Sequence, residues 1–165
     1  MLTMWDELII LLNQTLEIYQ ALLKLSRQKR DILAAAKPQE LDLLTKQEEV
    51  LIIEAGKLEP LRMTLTSELA AMLGLAPGET ALSVLTERAD NETAEKLKLI
   101  GEKFAKVTGE LAELNELNTK LIQQSLDFIN FSINLLSQNT AGTTYAPKGQ
   151  AAPTGPTRSI LDTRA

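Results

Sequence analysis

The sequence predicts an all-α chain: an elongated antiparallel three-helix bundle or coiled coil, with a short connecting helix and an irregular C-terminal tail. Three observations predict it. Apolar residues recur at seven-residue spacing through three long segments, the period of a helix that buries one stripe. The apolar content is mostly Leu, Ile and Ala, with only 4% aromatics, the composition of helices rather than sheets. No stretch alternates with the period of a strand. At 165 residues there is room for one ordinary domain.

The first segment runs from Met4 to Ala36. Met4, Leu11, Ile18, Leu25 and Ile32 form one heptad row, with Trp5, Leu12, Tyr19 and Leu33 beside it and Ile9, Leu16 and Leu23 in a further row. A stripe this wide needs at least two helical neighbours. Lys37-Pro38 ends it, because the residue before proline avoids the α region while proline suits the first turn of the next helix. The second segment, Pro38 to Leu73, carries the unbroken row Leu44, Leu51, Leu58, Leu65 and Met72. Pro60 lies inside that segment and removes a backbone donor, so a kink or short break is expected there. Gly74 suits a left-handed helix cap, Pro77-Gly78 a turn, and Thr80 to Arg88 two turns of helix before Asp90 or Asn91 caps the next element.

The third segment, Glu92 to Ser137, keeps Ile100, Val107, Leu114, Leu121, Phe128 and Leu135 at strict heptad spacing. At ~1.5 Å per residue it would measure roughly 65–70 Å, which makes the expected bundle elongated. After Asn139 the pattern stops. The stretch to Ala165 is rich in Thr, Ala, Gly and Pro and cannot build a core. The domain reading is therefore a helical bundle over residues 1–138 and a flexible tail over 139–165.

Composition restricts function. A net charge of −5 and a pI near 4.9 oppose a nucleic-acid partner, whose phosphates need a basic surface. The basic run Lys24, Arg27, Lys29 and Arg30 reads as a solvated helix face. The chain has no Cys and no His, which removes disulfides, thiol nucleophiles, imidazole bases and His-containing metal sites. Carboxylates remain at Glu48 and Glu49 and at Glu110, Glu113 and Glu116, but Lys residues are interspersed with them and solvated surface accounts for them. No enzyme activity, cofactor or metal is expected. Met1 to Leu12 carries Asp6 and Glu7 and lacks a basic leader, and Leu121 to Pro147 is too polar to span a bilayer. A cytoplasmic chain without membrane insertion is the expectation.

The informative stretch begins at Leu121. From Glu92 to Lys120 there are eleven charged residues; from Leu121 to Pro147 there is one, Asp127. At the same point a second apolar row appears, Ile122, Leu126, Ile129, Ile133 and Leu136, alternating by four and three residues. Gln123, Gln124, Ser125, Asn130, Ser132 and Asn134 fill most remaining positions with neutral groups. Two readings compete. The bland one buries both rows inside the bundle or in a homodimer, since wide stripes are usually core. The functional one makes the stretch a groove for an amphipathic helix of a partner, with apolar anchors and adaptable amides. A purely structural coil would keep flanking charges along its length, and the charge loss at Leu121 separates the two.

These residues carry a resemblance. Helix two, with Leu41, Leu44, Glu48, Leu51, Leu58, Glu59 and Arg62, resembles the FlgN family of flagellar export chaperones. So does the series Asn115-x-x-Asn118-x-x-Leu121-Ile122-x-x-Ser125-Leu126-x-Phe128, followed by Leu135-Leu136 and Tyr145-x-Pro147-x-Gly149. The likeness extends from about Trp5 to Gly149. It implies a cytoplasmic chaperone that binds the hook–filament junction proteins FlgK and FlgL, prevents their premature assembly and passes them to the flagellar type III export apparatus. It also implies that the end of the third helix and the tail meet the substrate. The candidate contact residues are Asn118, Ile122, Ser125, Leu126, Ile129, Asn130, Ile133, Leu136 and Tyr145. Tyr145, Ile160 and Leu161 are further candidates to dock beside the Ile122–Leu136 row and stand in for substrate. The alternative function is a structural coiled-coil homo-oligomer with no exchangeable partner.

Overall fold

In the computed structural model, residues 1–141 are described. They form α1 (Met4–Ala34), a short 3-10 turn (Pro38–Glu40), α2 (Leu41–Met72), α3 (Leu82–Arg88) and α4 (Asn91–Ala141), with no strand among the described residues. The all-α class is as expected. The chain divides into two units, Met1–Ser125 and Leu126–Ala165; the first holds the core.

Each helix end has a local cause. Thr3 and Asp6 form a capping box at the start of α1: the Thr3 hydroxyl accepts from the Asp6 amide at 3.1 Å, and the Asp6 carboxylate accepts from the Thr3 amide at 3.0 Å. The α1 end is a Schellman turn, with Lys37 N–H donating to Ile32 C=O and Ala36 N–H to Leu33 C=O. Ala36 therefore adopts φ 51°, a left-handed conformation that is unfavourable for a residue with a Cβ. The helix stops two residues before the expected Ala36, because this cap closes it ahead of Pro38. Gly74 caps α2 in the same way, with φ 68° and the paired bonds from Leu75 N–H to Ala70 C=O and Gly74 N–H to Ala71 C=O. Asp90 caps α4 through the Thr93 amide and hydroxyl, at 3.0 and 2.7 Å.

At Pro60 the structure differs from a break: α2 runs through it unbroken. Pro60 and the residue four positions earlier, Gly56, are both exposed. The carbonyl left without a helix donor can thus be solvated, and Gly56 adds no side chain to the crowding there.

The core of the first unit has two parts. Leu8 and Leu12 of α1, Leu69 and Ala70 of α2, Leu85 of α3 and Leu97 and Ile100 of α4 form one cluster, against which Trp5, Leu65 and Phe104 pack. Leu16, Leu23 and Val107 form the other, with Tyr19, Phe104, Leu111 and Leu114 around them. Tyr19 and Phe104 meet edge-to-face, centroids 5.8 Å apart. The order of these contacts sets the topology. As α1 advances from Leu8 to Ser26, its partners on α4 advance from Leu97 to Asn118, so α1 and α4 run parallel. On α2 the order reverses: Leu69 packs near the start of α1, and Glu48 pairs with Lys29 near its end. The expected up-down-up bundle is present.

The basic run of α1 does more than face solvent. Lys29 forms a largely buried ion pair with Glu48 of α2, and Arg27 meets Glu110 of α4 at 2.5 Å. These pairs draw both neighbours onto the last turns of α1.

Two outcomes follow for stability. Ala36→Gly should raise it by about 0.5–1 kcal/mol and Gly74→Ala should lower it by a similar amount, read from urea midpoints, because only glycine is unstrained at positive φ. The carboxyls of Asp6 and Asp90 are held below the usual aspartate range, chiefly by the hydroxyl bond from Thr3 and by the Thr93 amide respectively. Because their folded values are lowered, they stabilise the fold above the unfolded value of about 3.8 and lose that contribution as pH falls through the folded value. Between about pH 4 and pH 2, Tm should therefore fall less steeply in Asp6→Asn/Asp90→Asn than in the wild type.

Candidate functional site: the C-terminal part of α4

In α4, residues 97, 100, 104, 107, 111, 114, 118 and 121 alternate by three and four and form the seam toward the bundle. All eight are buried or half-buried. The same register continues through Ser125, Phe128, Ser132 and Leu135, but there the apolar members become exposed: Phe128 by 70% and Leu135 by 45%. One heptad row, Ile100 to Leu135, thus passes from core to solvent without any change in its chemistry.

Asn118 marks the transition. It is only 3% exposed, and its amide donates to the Ser26 carbonyl of α1 at 3.0 Å. Its Oδ1 is buried without a hydrogen-bond partner among the described residues. A buried asparagine on a helix seam fixes register at some expense of stability. From this point the inward row turns polar, with Asn118, Ser125 and Ser132 where Leu97, Phe104 and Leu111 stood one to three heptads earlier.

Beyond Asn118 the exposed surface has three sectors, at about 100° per residue. The first carries Ile122, Leu126, Ile129, Ile133 and Leu136, all 41–66% exposed. The second carries Phe128, Phe131 and Leu135. Ser125 and Ser132 lie between these two, and Gln123, Asp127, Asn130 and Asn134 occupy the third. The serine hydroxyls donate back to their own helix, Ser125 to Leu121 C=O at 3.0 Å and Ser132 to Phe128 C=O at 2.9 Å. They act as small spacers in an apolar arc of roughly 220°, far wider than a surface helix needs.

Of the sequence-derived contact residues, Ile122, Ser125, Leu126, Ile129, Asn130, Ile133 and Leu136 are exposed together on this helix, and Asn118 is buried at its root. Tyr145, like Ile160 and Leu161, lies outside the described residues. Phe131, 60% exposed, escaped the sequence reading because it belongs to neither apolar row. The outer face of α2 also escaped it: Leu43, Val50, Ile52, Ile53, Leu61 and Met63 are 56–66% exposed, and the adjacent Ile52-Ile53 pair was the available signal. Among the carboxylates, Glu48 and Glu110 are engaged by α1, and Glu116 pairs with Lys120 at 2.8 Å. No group of three or more Asp and Glu that could hold a metal occurs among the described residues. Among the described residues, α1 is the helix whose length and apolarity match a membrane span, and it buries Leu8, Leu11, Leu12, Leu16, Leu22 and Leu23.

The family model described as FlgN protein matches residues 1–153. The chain belongs to the FlgN family. That membership carries a flagellar export chaperone role in general, in a family of chaperones rather than enzymes. An uncharacterized protein of Bacillus subtilis (strain 168), YvyG, is 30% identical over 119 residues, covering 72% of each chain. No solved structure matches the chain.

Replacing Asn118 by Leu removes the unsatisfied buried carbonyl and fills the same seam position with an apolar side chain. Asn118→Leu should raise Tm in a thermal melt, while Asn118→Asp, which buries a charge there, should lower it by several degrees.

Proposed function

We propose that this FlgN-family chain is a non-enzymatic cytoplasmic chaperone that binds amphipathic helical segments of the junction proteins FlgK and FlgL, prevents their premature assembly and delivers them to the flagellar export apparatus. The observation that carries the reading is the exposed apolar arc of α4 after Leu121. Helix-in-groove recognition uses anchors at i, i+3, i+4 and i+7, and Ile122, Leu126, Ile129, Ile133 and Leu136 have that spacing. Ser125 and Asn130 supply neutral groups at the edge, and Tyr145 adds an aromatic contact from the following segment. Asn118 contributes from beneath by tying the helix to α1. Near-absence of charge suits a face that must take more than one related partner without desolvating fixed ions. Self-association of two chains is part of the proposal.

Ile129→Asp should weaken binding of purified FlgK and FlgL by at least about a hundredfold, while the Tm of the free chaperone shifts by less than about 2 °C, because the side chain faces solvent. A Tm loss of the size expected for a charge buried in a core would overturn the reading. Calorimetry of the wild-type complex should show a large negative heat-capacity change, the mark of apolar burial coupled to folding of the partner helix.

A further inference from the structure

We infer that the far end of the first unit is a latch that opens locally: the tip of the α1–α2 hairpin, from Ser26 round to Glu48, parts from α4 at Glu110 and Asn118 while the leucine core at the other end stays folded. Ionic strength sets how often it opens. All of these residues belong to the first unit.

Apolar burial is concentrated at one end. Leu8, Leu69, Leu85 and Leu97 are almost fully buried there, and the second cluster ends on α1 at Leu23. Past Leu23 the buried residue of α1 is Ser26, and past Val107 the buried residue of α4, among those described, is Asn118. None of residues 45–65 of α2 is buried, and Leu44, which is, belongs to neither cluster. The turn from Ala36 to Glu40 keeps α1 and α2 joined at the tip.

Polar contacts hold what apolar packing does not. Two of them join the tip to α4: the Asn118 amide donates to the Ser26 carbonyl at 3.0 Å, and Arg27 meets Glu110 at 2.5 Å. Neither is a strong fastener. Asn118 leaves its Oδ1 buried with no partner among the described residues, so the closed contact strands an acceptor that water satisfies in the open state. The Arg27 side chain is 52% exposed and that of Glu110 35%, so water and salt screen their attraction. The third contact, Lys29 with Glu48, joins α1 to α2 within the tip, and its side chains are only 20% and 13% exposed. Salt reaches it less, and breaking it leaves a charge buried without its partner. The tip therefore moves as one piece, in the manner of a sub-global opening where buried apolar contacts are few. The open state bares Asn118, one of the proposed partner contacts; that consequence rests on the proposed function, and the opening does not.

The chain contains no Cys, so a single introduced thiol reports access to its own site. Ser26→Cys is nearly isosteric, and Ala70→Cys places the thiol in the first core cluster. Rates of alkylation by excess iodoacetamide are compared with those of each thiol in the unfolded chain. At about 0.05 M salt, Ser26→Cys should react at least about thirtyfold faster than Ala70→Cys, because it is reached without global unfolding. Raising salt to about 1 M should speed Ser26→Cys by roughly two- to fivefold; Glu110→Gln in the same background should do so at low salt and leave little further salt response. Asn118→Leu should slow it by about tenfold. Glu116→Gln, which removes an ion pair within α4 itself, should change nothing. In the unsubstituted chain, hydrogen exchange should show the same salt response over residues 26–34 of α1 and none over residues 8–16. Equal rates at the two thiols, a Ser26→Cys rate indifferent to salt and to Glu110→Gln, or an equal effect from Glu116→Gln overturns the latch.

Discussion

The structure depends on the seam between α1 and α4. Eight inward positions of α4, from Leu97 to Leu121, fit against an α1 stripe that starts at Leu8 and ends near Ser26. Because the two helices run parallel, they cannot be joined by a short loop. The chain returns through α2, and α3 turns it back into α4. This return path is what places Leu69 and Leu85, both almost fully buried, over the leucines at the start of α1. The capping box at Thr3, the Asp90 cap and the Schellman turns at Ala36 and Gly74 then fix where each helix begins and stops.

Heptad arithmetic also explains what was legible in the sequence. The rows Leu44–Met72 and Ile100–Leu135 identified the helices; the structure buries or half-buries Leu44 to Leu65 and Ile100 to Leu121, while Met72 at the end of α2 is 72% exposed and Phe128 and Leu135 are exposed beyond Leu121. Helix ends were less legible. Ala36 adopts a left-handed cap that sequence favours glycine for, and α1 therefore stops at Ala34. Pro60 signals a kink or short break because the missing donor is visible in the sequence, whereas the exposure of both Pro60 and Gly56 is a property of the folded chain.

The candidate site was legible in its chemistry but not in its exposure. Phe128 and Leu135 belong to the same row as Ile100 and Val107, and nothing in their spacing distinguishes them. Burial of a row is decided by whether a neighbour stands opposite, and that is a tertiary fact. What the sequence did carry was the coincident loss of charge at Leu121 and the serine substitutions in the inward row. Phe131 stayed hidden because a single aromatic off both rows has no periodic signature.

Those serines bear on how one helix serves both the core and the proposed partner face. Had the inward row continued with Leu or Phe at positions 125 and 132, the end of α4 would carry a full apolar seam and associate tightly with any similar helix. Ser125 and Ser132 weaken that seam while leaving Phe128 and Leu135 in place, and the buried Asn118 holds register at the point where the change begins. Leu8, Leu69, Leu85 and Leu97, the largest fully buried side chains, all lie in the first unit. The proposed partner face can thus be strongly apolar while the most deeply buried side chains lie elsewhere, a condition a chaperone must meet if it is to release what it holds.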